Sequence, residues 1–282
     1  SESFSQTNLK LRMNIPRSPL WEYLINRRGL IKEGREHTAD CLWTYGILGP
    51  GFALGFEGSV VYFIRSETDL GVFNNYHFGS KRFLYRVKML LELVPRLLLR
   101  RDLAKVMSGA TVVANSEYMA TLTNKLFGVD AHVLHPIVDV STIAASSAFR
   151  QGSRDRIILV GDGTIKGQFI FECLASRFPA ESFIIYTRNV SSMVTSRNIE
   201  YHPWTSDQAT IFGRAKLVII PSQWFEAYGR VAREAYLLNV PVLASNVGGL
   251  AEALDNKDEF LVDDYKNLEE WVSSLKEFLN EY

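Results

Sequence analysis

Short apolar runs that alternate with helical segments are the feature of this 282-residue sequence that most limits its fold. In the second half the runs are continuous, as in RIILV at 156–160 and LVII at 217–220. Strands exposed on one face alternate apolar and polar residues, whereas parallel strands covered on both faces are continuously apolar. The pattern therefore predicts an α/β fold with a parallel sheet between two layers of helices. The predicted strands are 156–160, 182–186, 217–220 and 241–244, and the predicted helices are 169–177, 207–214, 231–238 and 268–279.

The first half also predicts an α/β domain, although one with few strands. An Asn-Ser-Glu sequence at 115–117 is a typical cap for a helix at 118–127. Residues 1–150 carry 18 Lys and Arg against 13 Asp and Glu, and residues 151–282 carry the reverse. This reversal beside the Ser/Ala-rich stretch 141–152 predicts two domains, 1–150 and 151–282, with a binding cleft between them. The predicted strands are 40–45, 60–64, 111–114 and 132–134.

The composition argues against several classes of protein. A net charge of zero is not typical of a general nucleic-acid binder. Two cysteines, Cys41 and Cys173, suit neither a disulfide-rich module nor a zinc site. Apolar runs stay shorter than the ~18 residues of a membrane span, and the polar start at 1–12 predicts no signal peptide. We therefore expect a cytoplasmic protein.

The segment 221–254 contains the residues that indicate chemistry. After the strand that ends at Pro221, a loop carries Glu226 and Gly229, and Glu234 follows in the next helix. The N–H groups of a helix N-terminus bind diphosphates well, and Gly229 would let the backbone approach a ligand closely. Carboxylates accept hydrogen bonds from vicinal hydroxyls. The loop therefore predicts a sugar-nucleotide site, with Glu226 on the sugar and Glu234 on the ribose.

This segment resembles the Glu-x7-Glu motif of retaining glycosyltransferases with the GT-B fold, in family 4 (glycosyl transferases group 1). The resemblance extends over about 110–254, including NSEYMA at 115–120 and HPIVD at 135–139. It implies two Rossmann-like domains facing a cleft, here with a reduced N-terminal domain. The matching residues are Pro221, Ser222, Glu226, Gly229, Glu234, Ala235, Pro241, Val242, Gly248 and Gly249.

The resemblance also implies roles for residues of this sequence. Glu226 positions the sugar and Lys166 contacts the diphosphate, and both are candidate catalytic residues. The implied reaction retains configuration by front-face attack, in which the leaving phosphate takes the proton of the acceptor. It needs no metal, because Lys, Arg and backbone N–H groups stabilise the charge of the leaving group. The donor is a nucleoside-diphosphate sugar such as a UDP- or GDP-sugar, and a glycan, a lipid-linked molecule or a small molecule is the acceptor, as in polysaccharide biosynthesis. The expected donor-binding residues are Glu234, Ala227, Tyr228, Gly229, Arg230, Val231, Gly163 and Trp204.

The sequence departs from the family pattern at a few positions. Asn239 replaces a glycine, and both residue types tolerate positive φ. The family's arginine in the first loop of the second domain is missing, since Asp162 follows Gly161. Lys166 and the helix N-terminus then neutralise the diphosphate unless Arg230 or Arg65 assists.

The first half lacks the family's glycine-rich loop and the histidine that follows a strand. In the corresponding place stand Arg65 and Glu67, and the nearest histidine is His77. We keep these three as candidate cleft residues of the N-terminal domain. His135, at the crossover between the domains, is interpreted as a packing residue.

The stretch 81–105 contains eight basic and two acidic residues among Leu, Phe, Val and Met. Such a helical stretch, here interrupted by Pro95, lies either on an anionic membrane or against the core, with its Lys and Arg stems covering apolar surface. One hypothesis is therefore a weak peripheral attachment through 81–107 to the cytoplasmic face of a membrane.

Two other functions compete with a transferase. One is a non-catalytic sugar-nucleotide-binding module with a degenerate N-terminal domain. The other is a nicotinamide-linked oxidoreductase, which is disfavoured because no G-x-G-x-x-G sequence follows a predicted strand.

Overall fold

A computed structural model describes residues 19–72 and 90–281, which form two compact units that divide between Leu134 and His135. The division precedes the boundary expected after residue 150. The stretch 141–152 is not a linker, because its helices Ser141–Ala145 and Ser147–Arg150 bury Ile143 and Phe149 in the core of the second unit.

The first unit contains a parallel sheet of four strands in its described residues, and all four predicted strands are confirmed. They lie side by side in chain order: β1 Cys41–Tyr45, β2 Ser59–Ile64, β3 Thr111–Ala114 and β4 His132–Val133. Four helices and a 3-10 turn at Glu67–Leu70 accompany them within 19–72 and 90–134. The helices are Pro19–Arg35, Gly49–Ala53, Leu93–Met107 and Glu117–Phe127.

Local sequence features explain how two of these helices begin. Ser116 accepts a hydrogen bond from the backbone N–H of Met119, which satisfies one free donor at the start of Glu117–Phe127. Pro95 lies in the first turn of Leu93–Met107, where its missing N–H costs no helical hydrogen bond. The predicted residues 81–89 of the basic stretch lie outside the described residues.

A buried carboxylate joins two helices of the first unit. Asp102, on Leu93–Met107, accepts hydrogen bonds from the Tyr23 hydroxyl and from the Arg27 guanidinium, whose Nη2 lies 2.9 Å from Oδ1. The Asp102 side chain is fully buried, and that of Arg27 is partly exposed. Burial alone would raise the pKa of Asp102, but the hydrogen bonds from Arg27 and Tyr23 outweigh it and hold the pKa below its usual value.

The second unit contains a seven-stranded sheet in the order β11-β10-β9-β5-β6-β8-β7. Its strands are parallel except for β7, which pairs antiparallel with β8. The four predicted strands are confirmed, although the two expected at 182–186 and 241–244 are each shifted by one residue. The strands are β5 Arg156–Val160, β6 Phe183–Thr187, β7 Val194–Ser196, β8 Ile199–Pro203, β9 Ala215–Ile220, β10 Val242–Ser245 and β11 Leu261–Val262.

Two hydrophobic cores lie on opposite faces of this sheet, as the continuous apolar runs predict. Successive side chains of a strand point to opposite faces, so Ile158 enters one core while Ile157 and Leu159 enter the other. The helices of the second unit, besides the two short ones named above, are Gln168–Arg177, Gln208–Gly213, Arg230–Leu237, Leu250–Ala253 and Leu268–Glu281. Short 3-10 turns stand at Thr164–Lys166 and Asp258–Phe260. Within the described ranges, every helix is too short or too polar to cross a bilayer.

We predict that Asp102→Asn lowers the unfolding free energy by about 3 kcal/mol, because it weakens a buried ion pair and leaves Arg27 poorly compensated. The folded state holds Asp102 at a lowered pKa, so it binds fewer protons than the unfolded state. The stabilisation is therefore present above the unfolded-state pKa of about 4 and is lost as the pH falls through the folded-state pKa. Chemical denaturation at pH 7 and at pH 3 measures both effects.

The matched control for this substitution is Asp130→Asn, since Asp130 is exposed and bonds to the Asn124 amide in the same unit. The account is contradicted if Asp102→Asn and Asp130→Asn lose the same stability at pH 7, or if the difference between them persists unchanged at pH 3.

Candidate functional site

Several candidate residues of the second half lie in loops that follow three neighbouring strands. β10, β9 and β5 are adjacent in the sheet, so the loops after Ser245, Ile220 and Val160 leave the same edge. Ligands bind at this carboxyl edge in open parallel α/β sheets. The sheet order therefore brings together Lys166, Glu226 and the Gly248-Gly249 pair, which are far apart in the sequence.

Backbone contacts hold the three loops against each other. The N–H of Gln223 donates to the carbonyl of Ile165 at 2.8 Å, and the N–H of Gly249 donates to the carbonyl of Glu226 at 2.8 Å. Gly248 has a φ of +62°, and a Cβ there would lie 2.2 Å from the Glu226 carbonyl oxygen. A side chain at 248 would therefore push the loop that carries Glu226 away.

Gly229 has a structural role besides the close approach to a ligand that we expected. Its φ is +101°, and it is the residue from which the helix Arg230–Leu237 starts. A Cβ at 229 would lie 2.5 Å from Cδ2 of Leu250. Gly229 thus permits the turn into the helix and the packing of Leu250; its contact with a ligand stays a prediction.

The Glu226 carboxylate accepts two hydrogen bonds on the same oxygen. Lys166 Nζ lies 2.6 Å from Oε1, and the Ser222 hydroxyl donates to Oε1 at 2.7 Å. The Glu226 side chain is 11% exposed and that of Lys166 is 31% exposed. The two predicted catalytic residues are therefore in direct contact, with the carboxylate fixed and the ammonium closer to solvent.

An aromatic ring that the sequence analysis did not single out lies beside this pair. The ammonium of Lys166 is 5.2 Å from the centroid of the Trp224 ring, within cation–π range. The indole Nε1 of Trp224 is buried without a hydrogen-bond partner. The sequence signal that could have identified Trp224 is its position two residues before Glu226.

Glu234 is also buried and held on one oxygen. Its Oε1 accepts from Arg230 Nε at 2.7 Å and from Gln208 Nε2 at 2.7 Å. The Glu234 side chain is 4% exposed, whereas that of Arg230 is 65% exposed. Gln208, the first residue of its helix, carried no sequence signal and is added here.

The other expected donor-binding residues lie along the same edge. The N–H of Gly163 donates to Gln168 Oε1 at 3.0 Å, and Val231 packs against the core beneath the helix. Ala227 is half-buried in the loop between Glu226 and Gly229. Trp204 follows β8, two strands from β5, is 48% exposed and stacks with the Arg188 guanidinium at 5.1 Å.

Tyr228 is buried, and its ring is covered by His135, the first residue of the second unit. The His135 ring stacks on the Tyr228 ring with centroids 5.2 Å apart and planes 18° apart. His135 Nε2 also hydrogen-bonds to Oε1 of Glu252, on the helix Leu250–Ala253. Burial is the main cause that raises the pKa of the Tyr228 hydroxyl, so this ring stays neutral.

The candidates of the first unit follow the carboxyl end of β2. The Arg65 guanidinium lies 3.5 Å from the centroid of the Tyr45 ring, with Nε 3.8 Å from the Asp69 carboxylate. Glu67 accepts a hydrogen bond from the Tyr118 hydroxyl at 2.7 Å. His77 lies outside the described residues. Among the described residues, no group of three His, Cys, Asp or Glu side chains could hold a metal ion.

Comparisons with known proteins point to one enzyme class. The family model described as "Glycosyl transferases group 1" matches residues 190–282. A D-inositol 3-phosphate glycosyltransferase of Rhodococcus jostii (strain RHA1) is 37% identical over 71 residues, which are 25% of this chain and 16% of that protein. The chain thus matches about a sixth of the length of this curated relative.

Solved structures match over most of the chain. Sucrose-phosphate synthase from Thermosynechococcus elongatus has a TM-score of 0.69 at 15% identity, over 95% of this chain and 71% of that one. Anabaena Alr3699/HepE in complex with UDP-glucose has a TM-score of 0.62 at 15% identity, over 91% of this chain and 73% of that one. At such identities the likeness establishes the fold.

Proposed function

We propose that this chain transfers a sugar from a nucleoside diphosphate to an acceptor hydroxyl. The chain has the fold of GT-B glycosyltransferases, and its residues 190–282 match the family model of glycosyl transferases group 1. The observation that carries the proposal is the contact of Lys166 and Ser222 with the buried carboxylate of Glu226 at the carboxyl edge of a parallel sheet. One cation and one acceptor group meet there, which suits a donor that has an anionic diphosphate and a hydroxylated sugar.

The proposed diphosphate site combines Lys166 with the N-terminus of the helix Arg230–Leu237. The first N–H groups of that helix have no intrahelical partner and carry a partial positive charge. A diphosphate competes with Glu226 for the Lys166 ammonium, because both partners are anionic. The Lys166 side chain is the more exposed partner of the pair, so it is the one that turns to the diphosphate, and Glu226 is then able to accept a hydrogen bond from the sugar.

The nucleoside is assigned to the other buried carboxylate. Glu234 is an acceptor for ribose hydroxyls once the exposed side chain of Arg230 turns away from it. Arg230 is then available as a second cation for the diphosphate, which offsets the missing arginine of the first loop. We place the base beside the exposed pair of Trp204 and Arg188.

The proposed reaction retains the configuration of the anomeric carbon and uses no metal. The bond from that carbon to the diphosphate oxygen breaks, the acceptor oxygen bonds to it from the same face, and the acceptor proton passes to the leaving oxygen. Lys166 and the helix N–H groups stabilise the charge of the leaving diphosphate. Glu226 holds the sugar and its charge stabilises the developing cation. In the first unit, Arg65 and Glu67 are assigned to the acceptor.

We predict that Glu226→Gln and Lys166→Met each lower kcat/KM by about 100-fold, because each removes charge stabilisation aimed at the reacting groups. A thermal-shift screen of UDP-, GDP-, ADP- and dTDP-sugars first identifies the donor, since a ligand of the native state raises the melting temperature. Release of the nucleoside diphosphate then measures transfer. EDTA leaves the rate unchanged in this account.

The matched controls are Glu181→Gln and Lys216→Met, since these two residues form a similar Lys–Glu pair, 3.1 Å long, in the same unit. Lys216 lies at the start of β9, away from the carboxyl edge, so both controls should stay within about twofold of wild type. Equal losses in both pairs, or an EDTA loss that Mn²⁺ restores, contradict the proposal. Donor binding without turnover in the wild type favours the non-catalytic module.

We also propose that the helix Leu93–Met107 and the residues before it contact an anionic membrane. Leu90, Leu91, Val94 and Leu97 are each more than half exposed. Arg100, Arg101 and Lys105 are exposed further along the same helix. Apolar residues beside cations match a surface that offers acyl chains below anionic headgroups. Each Lys or Arg contributes about 1 kcal/mol of attraction near such a surface.

We expect the chain to sediment with phosphatidylserine-containing vesicles. The bound fraction should fall steeply as salt is added, and Leu97→Glu should lower it. Ile137→Glu is the control, because Ile137 is 91% exposed but lies in the second unit. The membrane contact is refuted if the chain does not sediment with these vesicles, or if Leu97→Glu and Ile137→Glu behave alike.

A further inference from the structure

His135 makes two contacts that reach different elements of the second unit. Its ring stacks on Tyr228, in the loop between Glu226 and Gly229, and its Nε2 bonds to Glu252 on the helix Leu250–Ala253. The stacking distance of 5.2 Å lies in the range in which aromatic pairs stabilise each other beyond their buried area. Half of the His135 side chain is exposed, so burial in a core does not explain its position.

Backbone contacts also hold the loop that Tyr228 occupies, besides the side-chain contacts of Glu226 described above. The N–H of Gly249 donates to the Glu226 carbonyl, and a Cβ at Gly248 would lie 2.2 Å from the same carbonyl oxygen. Gly249 directly precedes the helix that carries Glu252. His135 therefore connects two parts of this arrangement: the ring of the loop residue Tyr228, and the helix that directly follows Gly249, whose N–H bonds to the Glu226 carbonyl.

Other charged groups near Tyr228 are already paired. Arg233 Nη1 bonds to Asp255 at 2.7 Å and to the carbonyl of Ala253 at 3.3 Å. The neutral Tyr228 ring thus meets His135 through its face, while Arg233 is paired with Asp255. Stacking is the contact through which His135 acts on the loop.

We infer that His135 is a positioning residue that fixes the Glu226–Gly229 loop, and thereby the Glu226 carboxylate, through its stacking on Tyr228. The consequence for donor binding rests on the function proposed above; the effect on the loop does not. This gives the residue a role beyond the packing that its sequence position suggested.

The test is amide hydrogen exchange in the free protein, where the Gly249 N–H reports whether the Glu226 carbonyl stays in place. His135→Ala should speed this exchange about tenfold, because it removes a ring contact and a hydrogen bond to a carboxylate. His135→Phe keeps the ring and should restore slow exchange, whereas His135→Gln keeps the N–H donor and should not. His132→Ala, at an exposed histidine of the first unit, is the control.

Amides of the central strand β6 provide the internal reference for global stability. The inference is overturned if Gly249 exchange is unchanged in His135→Ala, if β6 accelerates by the same factor, or if Gln rescues and Phe does not. The second readout is the affinity for UDP-glucose, which His135→Ala should weaken about tenfold if wild type binds it. If the wild-type protein does not bind UDP-glucose but His135→Ala still speeds the Gly249 exchange, the result counts against this donor in the proposed function. It does not count against the role of His135.

Discussion

A carboxylate shared by donors from two loops is the interaction on which the candidate site depends. Glu226 receives Lys166 from the loop after β5 and Ser222 from its own loop after β9. These loops meet because β5 and β9 pair in parallel, with Ile158 opposite Val218. An antiparallel pairing would send the two loops to opposite edges of the sheet. The chemistry therefore follows from the strand direction that the continuous apolar runs impose.

The two buried glutamates share one pattern of contacts. Each accepts on Oε1 from a cation and from a neutral donor: Lys166 and Ser222 for Glu226, Arg230 and Gln208 for Glu234. In both pairs the cation is much more exposed than the carboxylate. The acceptors are thus fixed in advance, while the cations are free to turn toward an anionic ligand. Such preorganisation lowers the ordering cost of binding.

Much of the second unit could be predicted from the sequence because its signals are local. Continuous apolar runs give the central strands, and the positive φ of Asn239, at +54°, follows from its place where a glycine is usual. The strands β7, β8 and β11 are not among the predicted ones: β7 and β11 have only three and two residues, and β8 mixes polar residues into its short run. The domain boundary was misplaced because small residues at 141–152 resemble a linker, although Ile143 and Phe149 are buried.

The contacts that sequence reasoning could not supply are long-range. Asp102 meets Tyr23 and Arg27 more than 70 positions away, and Gln208 reaches Glu234 from a different helix. His135 was interpreted as packing, since nothing in the sequence places it on Tyr228. Motif residues were predictable as a set because the resemblance supplies their roles; their partners depend on how strands are ordered in the sheet.

A crystal structure of the chain with the nucleotide sugar that stabilises it most tests the central claim directly. The account predicts the diphosphate at the N-terminus of the helix Arg230–Leu237, with the Lys166 ammonium bonded to it and Glu226 accepting from a sugar hydroxyl. A nucleotide bound away from the carboxyl edge of the second sheet, or one bound while Lys166 still pairs with Glu226, would contradict it.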